Sequence, residues 1–240
     1  MKKVLISAIA LAITATAAQA ATINLRHEYK SEFGDNDAYH GDRIAVSHRF
    51  ANGVGFEIEA KYKSNTTGND DAFDEFTQNG HQANVSYRYK LNDSFTLTPQ
   101  YKIEMNSSDK MSNQFNLTLG YKVNNDLSVS YRQRYNYTTQ ANKESSEHYN
   151  QGTFAASYSG VEDWGFGASL DYRWRQEGQD TWKGNKAGVN EVNFTGEYKG
   201  FESGWRPFAE LGFEPTKKYS TDTEKGDYRP RYRIGLKYNF

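Results

Sequence analysis

Residues 229–240 read RPRYRIGLKYNF, and they constrain this chain more than any other stretch. Pro230, Tyr232, Ile234, Leu236, Tyr238 and Phe240 share one parity. Arg229, Arg231, Arg233, Gly235, Lys237 and Asn239 share the other. Successive side chains of a strand point to opposite faces, so the segment carries an apolar row on one side and a cationic row on the other. A strand between lipid and a water-filled lumen needs this pattern, whereas a half-buried soluble strand rarely sets a run of basic residues opposite so greasy a face. Such a strand cannot stand alone. An open sheet edge in hydrocarbon leaves backbone groups unpaired, so the chain has to supply enough further strands to close a cylinder.

The N-terminus fits export. Met1-Lys2-Lys3 is a charged n-region, residues 4–18 form an apolar run, and Ala18-Gln19-Ala20 is an A-x-A cleavage site. Residues 1–20 are therefore read as a cleaved signal peptide, leaving 21–240 as one barrel domain. The apolar run is shorter than the roughly 20 residues of a membrane-spanning helix, and no later stretch approaches that length. Without Lys2 and Lys3 the balance is 27 basic to 30 acidic residues, a net charge of −3. A mean hydropathy of −0.91 by itself suggests a very polar or disordered chain. The 18 Tyr and 14 Phe contradict disorder. A transmembrane barrel reconciles the two facts, because only alternate residues of each strand face lipid. The absence of Cys excludes a disulfide framework, a thiolate metal site and a Cys nucleophile.

Period-two alternation bounded by Asn, Asp and Gly turns predicts a single 12-stranded antiparallel transmembrane β-barrel, all-β throughout. The strands fall at 22–30, 43–50, 56–63, 82–91, 95–104, 115–123, 127–137, 152–158, 164–175, 192–198, 205–213 and 229–240. Asn52-Gly53 is the clearest hairpin. Pro99 sits in mid-strand, and a bulge there is the expected remedy for its missing N–H. Short turns follow the even strands and long polar loops the odd ones, matching short periplasmic turns and longer extracellular loops. Aromatics sort by height. Phe50, Phe56, Tyr89, Phe95, Tyr121, Tyr158, Trp164, Tyr198, Trp205, Tyr238 and Phe240 flank the short turns, while Tyr29, Tyr62, Tyr101, Tyr137, Tyr172 and Trp174 lie towards the long loops. Two such girdles mark the two membrane interfaces.

Charge is separated too. Acids concentrate in the long loops: Glu32, Asp35, Asp37, Asp42, Asp70, Asp71, Asp74, Glu75, Asp222, Glu224 and Asp227. The inward parity carries Arg26, Arg43, Arg49, Lys61, Arg88, Lys90, Lys102, Lys122, Arg132, Arg134, Arg173, Arg175, Lys199, Arg206, Arg231, Arg233 and Lys237. It carries fewer acids: Glu28, Glu57, Glu59, Glu104, Asp171, Glu197 and Glu210. The first and last strands meet at closure, so Arg26, Arg43, Arg231 and Arg233 share one wall. Arg132 and Arg134 come to the opposite wall with Arg173 and Arg175 nearby and higher. Two facing guanidinium tracks suit an extended polyanion, since Arg stays charged and pairs bidentately with carboxylate. The plainer reading pairs some of these cations with Glu28, Glu57, Glu59 and Asp171, most of all on the third strand.

Other constellations are weaker. Glu57 and Glu59 share a face as a glycosidase pair does, but Lys61 and Lys63 beside them favour an ion-pair network. His27 and His48 take the lipid-facing parity, with His40, His81 and His148 near loops, and no spacing suits a metal. There is no G-x-S-x-G. No cofactor, metal or nucleic-acid partner is expected, and no enzyme activity.

The hairpin HRFANGVGF at 48–56 and the opening Ile23-Asn24-Leu25-Arg26-His27-Glu28-Tyr29, with the strand count, resemble the KdgM-type family of oligogalacturonate-specific porins, whose relatives include a sialic-acid channel. That resemblance implies a small monomeric outer-membrane channel for passive uptake of acidic oligosaccharides, its narrow pore lined by basic side chains. It carries the lining role onto Arg26, Arg43, Arg49, Arg88, Arg132, Arg134, Arg231 and Arg233, beside the inward Lys102, Arg173 and Arg175. Expected partners are the sugar, outer-membrane lipid and lipopolysaccharide, and the barrel-assembly machinery through Phe240. Alginate or sialic acid oligomers stay open as substrates. So do an outer-membrane enzyme or adhesin on a closed barrel and a soluble periplasmic β-sandwich.

Overall fold

The computed structural model describes residues 21–32, 38–64, 72–73, 76–107, 110–140, 147–175, 187–215 and 228–240. The signal peptide expected at 1–20 lies outside these residues. So do the loop acids Asp35, Asp37, Asp70, Asp71, Asp74, Glu75, Asp222, Glu224 and Asp227.

The elements are β1 (Thr22–Lys30), β2 (Tyr39–Arg49), β3 (Val54–Lys63), β4 (Thr77–Tyr87), β5 (Tyr89–Lys90), β6 (Phe95–Met105), β7 (Lys110–Lys122), β8 (Leu127–Gln140), β9 (Glu147–Tyr158), β10 (Trp164–Arg175), β11 (Gly188–Tyr198), β12 (Trp205–Pro215) and β13 (Tyr228–Asn239). All neighbours pair antiparallel. β1 pairs with β13 and β4 with β6, so the sheet closes on itself and leaves no edge. β5 only resumes β4 after Arg88, so the wall has twelve staves.

β1 and β10 end where alternation places them. Most other differences lie at the long-loop ends: β2 starts at Tyr39, β4 at Thr77, β7 at Lys110 and β9 at Glu147. Above the lipid both faces are wet and the apolar alternation stops, yet the backbone ladder continues because strand pairing does not depend on lipid.

The bulge expected at Pro99 is absent. Pro99 keeps its place opposite Leu117, and Ser86↔Gln100 and Tyr89↔Leu97 lie in one register. The ladder simply opens between them, where a missing N–H costs least. Arg88 turns its own N–H to the Gly53 carbonyl at 2.9 Å. Register shifts occur instead near the long loops, where Asn79 and Asn190 are the extra residues.

Three of the short turns are built by Asn side chains. The Asn52 carboxamide oxygen accepts from the Val54 N–H, that of Asn92 from Ser94 and Phe95, and that of Asn124 from Asp126 and Leu127. Gly53 takes φ +93°, open to glycine at no steric cost.

Burial is inverted relative to a soluble protein. Ile234 is 62 % exposed and Phe154 57 %, while Gln151, Glu59 and Asn136 are each 1 % exposed. Apolar side chains meet lipid and polar ones fill the lumen. The lower girdle is continuous in places: Phe95 stacks on Tyr121 at 4.7 Å, and Trp205 lies 4.7 Å from Tyr238, itself 4.8 Å from Phe240.

Asp42 corrects one expectation. It belongs to β2 rather than to a loop, and lies on the outward face. His27 bridges it at 2.9 Å through Nδ1 and reaches His40 at 3.1 Å through Nε2, under the Phe73 ring.

Candidate functional site: the lumenal charge lining

Alternation turns Arg26, Arg43, Lys102, Arg132, Arg134, Arg173, Arg231 and Arg233 into the lumen, but their surroundings differ. Around the closure seam, cations and carboxylates interlock. Arg233 pairs with Glu28 and, at 2.6 Å, with Glu210. Arg231, 3 % exposed, meets Glu191, Glu210 at 3.2 Å, Glu214 at 3.6 Å and Glu28 at 3.7 Å. Arg26 stands opposite Arg43 in register, with Glu28 3.9 Å from the first and Glu59 2.6 Å from the second. The network continues through Lys61 and Lys102, which reach Glu104 at 2.5 and 3.2 Å. This wall is nearly neutral, because each guanidinium or ammonium has a carboxylate beside it.

Two of these acids, Glu191 and Glu214, are missing from the inward set read from sequence. Each lies just past a strand end set too short, at 192 and at 213. Carrying the alternation one residue further would have found both. The pairing expected on the third strand is present at Glu59 and Lys61, though it is denser on β13 and β1, and among the described residues Glu57 accepts a hydrogen bond from Asn84 at 3.3 Å without an ion pair.

The other wall is built differently. β8 lies six staves from β1 whichever way the ring is counted. Arg132 donates to the Thr153 hydroxyl at 3.0 Å, and Arg134 to the Asn116 carboxamide oxygen at 2.9 Å. Arg173 donates to the Gln151 carboxamide oxygen from Nε at 3.2 Å and Nη2 at 3.0 Å, with its guanidinium 3.9 Å from the Tyr149 ring centre. Among the described residues, no carboxylate lies within ion-pair distance of these three groups. The acceptors are neutral, so these hydrogen bonds orient the guanidiniums without themselves neutralising them. Arg132 Nε and Asn116 Nδ2 are buried donors with no partner among the described residues.

The remaining residues stand apart. Arg49 donates to the Gly53 carbonyl at 2.7 Å and to Ser86 at 3.0 Å, at the short-turn mouth. Exposed Arg88 adjoins that same turn. Arg175 is in β10, but its side chain lies outside what is described.

The family model described as oligogalacturonate-specific porin protein (KdgM) matches residues 14–240. The chain belongs to that family. It is 29 % identical over 247 residues to the oligogalacturonate-specific porin KdgM of Dickeya dadantii (strain 3937), covering both chains completely. It is equally identical over 237 residues to the uncharacterized protein YiiY of Salmonella typhimurium, covering 96 % of this chain and 95 % of that one. The KdgM porin structure superposes with a TM-score of 0.66 at 25 % identity, over 91 % of this chain and 99 % of that one. The NanC porin superposes at 0.71 with 17 % identity over 91 % and 100 %, a likeness of fold. The chain is thus an outer-membrane porin of a Gram-negative bacterium, a channel and not an enzyme.

Proposed function

We propose that this porin passes acidic oligosaccharides, oligogalacturonates above all, by anion-selective passive diffusion along one wall of its lumen. The observation that carries this reading is the trio Arg132, Arg134 and Arg173, held by neutral acceptors opposite a wall whose cations are already paired. A chain of galacturonate units carries carboxylates along its length, and each guanidinium is a charge-assisted donor for one of them. Several similar sites in a row hold the polyanion and hand it on without trapping it. A solved KdgM porin complexed with disordered oligogalacturonate supports the substrate class: it covers 91 % of this chain at 25 % identity.

Lys102, Arg26, Arg43, Arg231 and Arg233 serve in this reading chiefly to balance lumenal acids, and Arg49 and Arg88 to keep the periplasmic mouth positive. Export on residues 1–20, a monomeric barrel surrounded by lipid and lipopolysaccharide, and recognition of Phe240 by the assembly machinery complete the proposal. Planar-bilayer recordings under a salt gradient test it. A reversal potential set by the anion is expected, with current blocked by trigalacturonate. Cation selectivity would end the idea, and a stronger block by alginate or sialic acid oligomers would move the substrate within the acidic sugars.

A further inference from the structure

On the reading that this channel selects anions through Arg132, Arg134 and Arg173, we infer that Gln151 and Asn116 set that selectivity without touching the sugar. They are positioning residues: amide seats that aim guanidiniums while leaving them charged.

The two lumenal walls contain the same cation held in two ways. At the seam Arg231 and Arg233 rest on Glu28, Glu191 and Glu210. On β8 and β10, Arg134 rests on Asn116 and Arg173 on Gln151, which differ from Asp and Glu only by an NH₂ in place of an oxygen. Both amides are almost wholly buried, Asn116 at 5 % and Gln151 at 1 % exposure. Their position beneath the guanidiniums is therefore a built arrangement and not a solvated contact.

Gln151 is itself held. Its Nε2 donates to Asp171 at 2.7 Å, which assigns the carboxamide so that oxygen faces Arg173. Asp171 thus acts on Arg173 through a neutral relay rather than by pairing with it. A carboxylate at either seat keeps the hydrogen bond and the shape but pairs the guanidinium, as at the seam.

The test is isosteric. Asn116→Asp is expected to bring the anion-to-cation permeability ratio several-fold towards unity and to weaken trigalacturonate block by about tenfold. Gln100→Glu adds the same charge one strand away from Asn116, at an amide that donates to Asn84 at 3.1 Å and among the described residues holds no guanidinium, and is expected to change both far less. For Gln151 the paired exchange Gln151→Glu with Asp171→Asn keeps lumenal charge constant and avoids setting two carboxylates together. Weaker trigalacturonate block at unchanged net charge is expected. If Asn116→Asp and Gln100→Glu shift the permeability ratio equally, or the exchange leaves block unaltered, the seats have no such role although the selectivity stands. A wild-type channel that prefers cations overturns both the selectivity and the inference built on it.

Discussion

Glu28 in the first strand and Arg233 in the last stand directly opposite each other and form an ion pair across the seam that closes the barrel. The contact joins residues more than two hundred positions apart, and it also removes Arg233 from the cations available to a solute. The same side chain is accordingly paired with carboxylates on one wall and, as Arg134, held by a neutral amide on the other.

Replacing Arg132 and Arg134 together with Ser should reduce anion preference and trigalacturonate affinity more than replacing Lys237, which is already paired with Glu197. A hydrogen bond to a charged group contributes about 1.5–3 kcal/mol, so affinity should fall roughly 10- to 100-fold per lost contact. Equal effects in bilayer recordings would contradict the assignment of selectivity to the wall that carries Arg132 and Arg134.

Arg231→Met should destabilise the barrel. It leaves Glu28, Glu191, Glu210 and Glu214 crowded together without their shared cation, and breaking a buried pair costs about 3–5 kcal/mol. A lower urea midpoint is expected for the refolded protein, whereas Arg132→Ser, whose partner is a hydroxyl, should move it little. Matching midpoints would show that the seam network does not hold the fold.

Ionic strength separates recognition by charge from recognition by hydroxyls. The Debye length falls from about 10 Å at 0.1 M salt to about 3 Å at 1 M. Trigalacturonate block should weaken markedly over that range, and a neutral trisaccharide should show no such trend. Salt-independent block would count against the guanidinium wall.

Ile234→Arg places a charge on the outward face at mid-strand, next to the inward Arg233. It should cost about 2–4 kcal/mol in lipid vesicles, read as a fall in unfolding free energy. Wild-type stability in this variant would mean that Ile234 does not face acyl chains.

Much of the architecture was legible in the residue order. The ends of β1 and β10, the Asn turns and the aromatic girdles follow from alternation and side-chain chemistry over a few neighbours. Strand ends beyond the membrane were not legible, because the lipid that imposes alternation is absent there; Glu191 and Glu214 escaped for a different reason, each standing one residue past a strand end set too short. Pro99 was misread because its cost depends on whether the adjacent strand offers an acceptor, which is a property of the partner. Asp42 was assigned to a loop because an acid is unexpected among lipid-facing residues, and only β1 brings His27 to it.

By itself the sequence determined which face of each strand is wet, since parity requires nothing beyond the next residue. It therefore determined that the wet face is rich in arginine. Which arginines keep their charge on offer was decided only by the closed barrel. Arg134 and Arg233 have the same side chain and the same parity. Arg134 meets Asn116 across the β7–β8 hairpin, 18 positions away, whereas Arg233 meets Glu28, 205 positions away, only because the last strand pairs with the first.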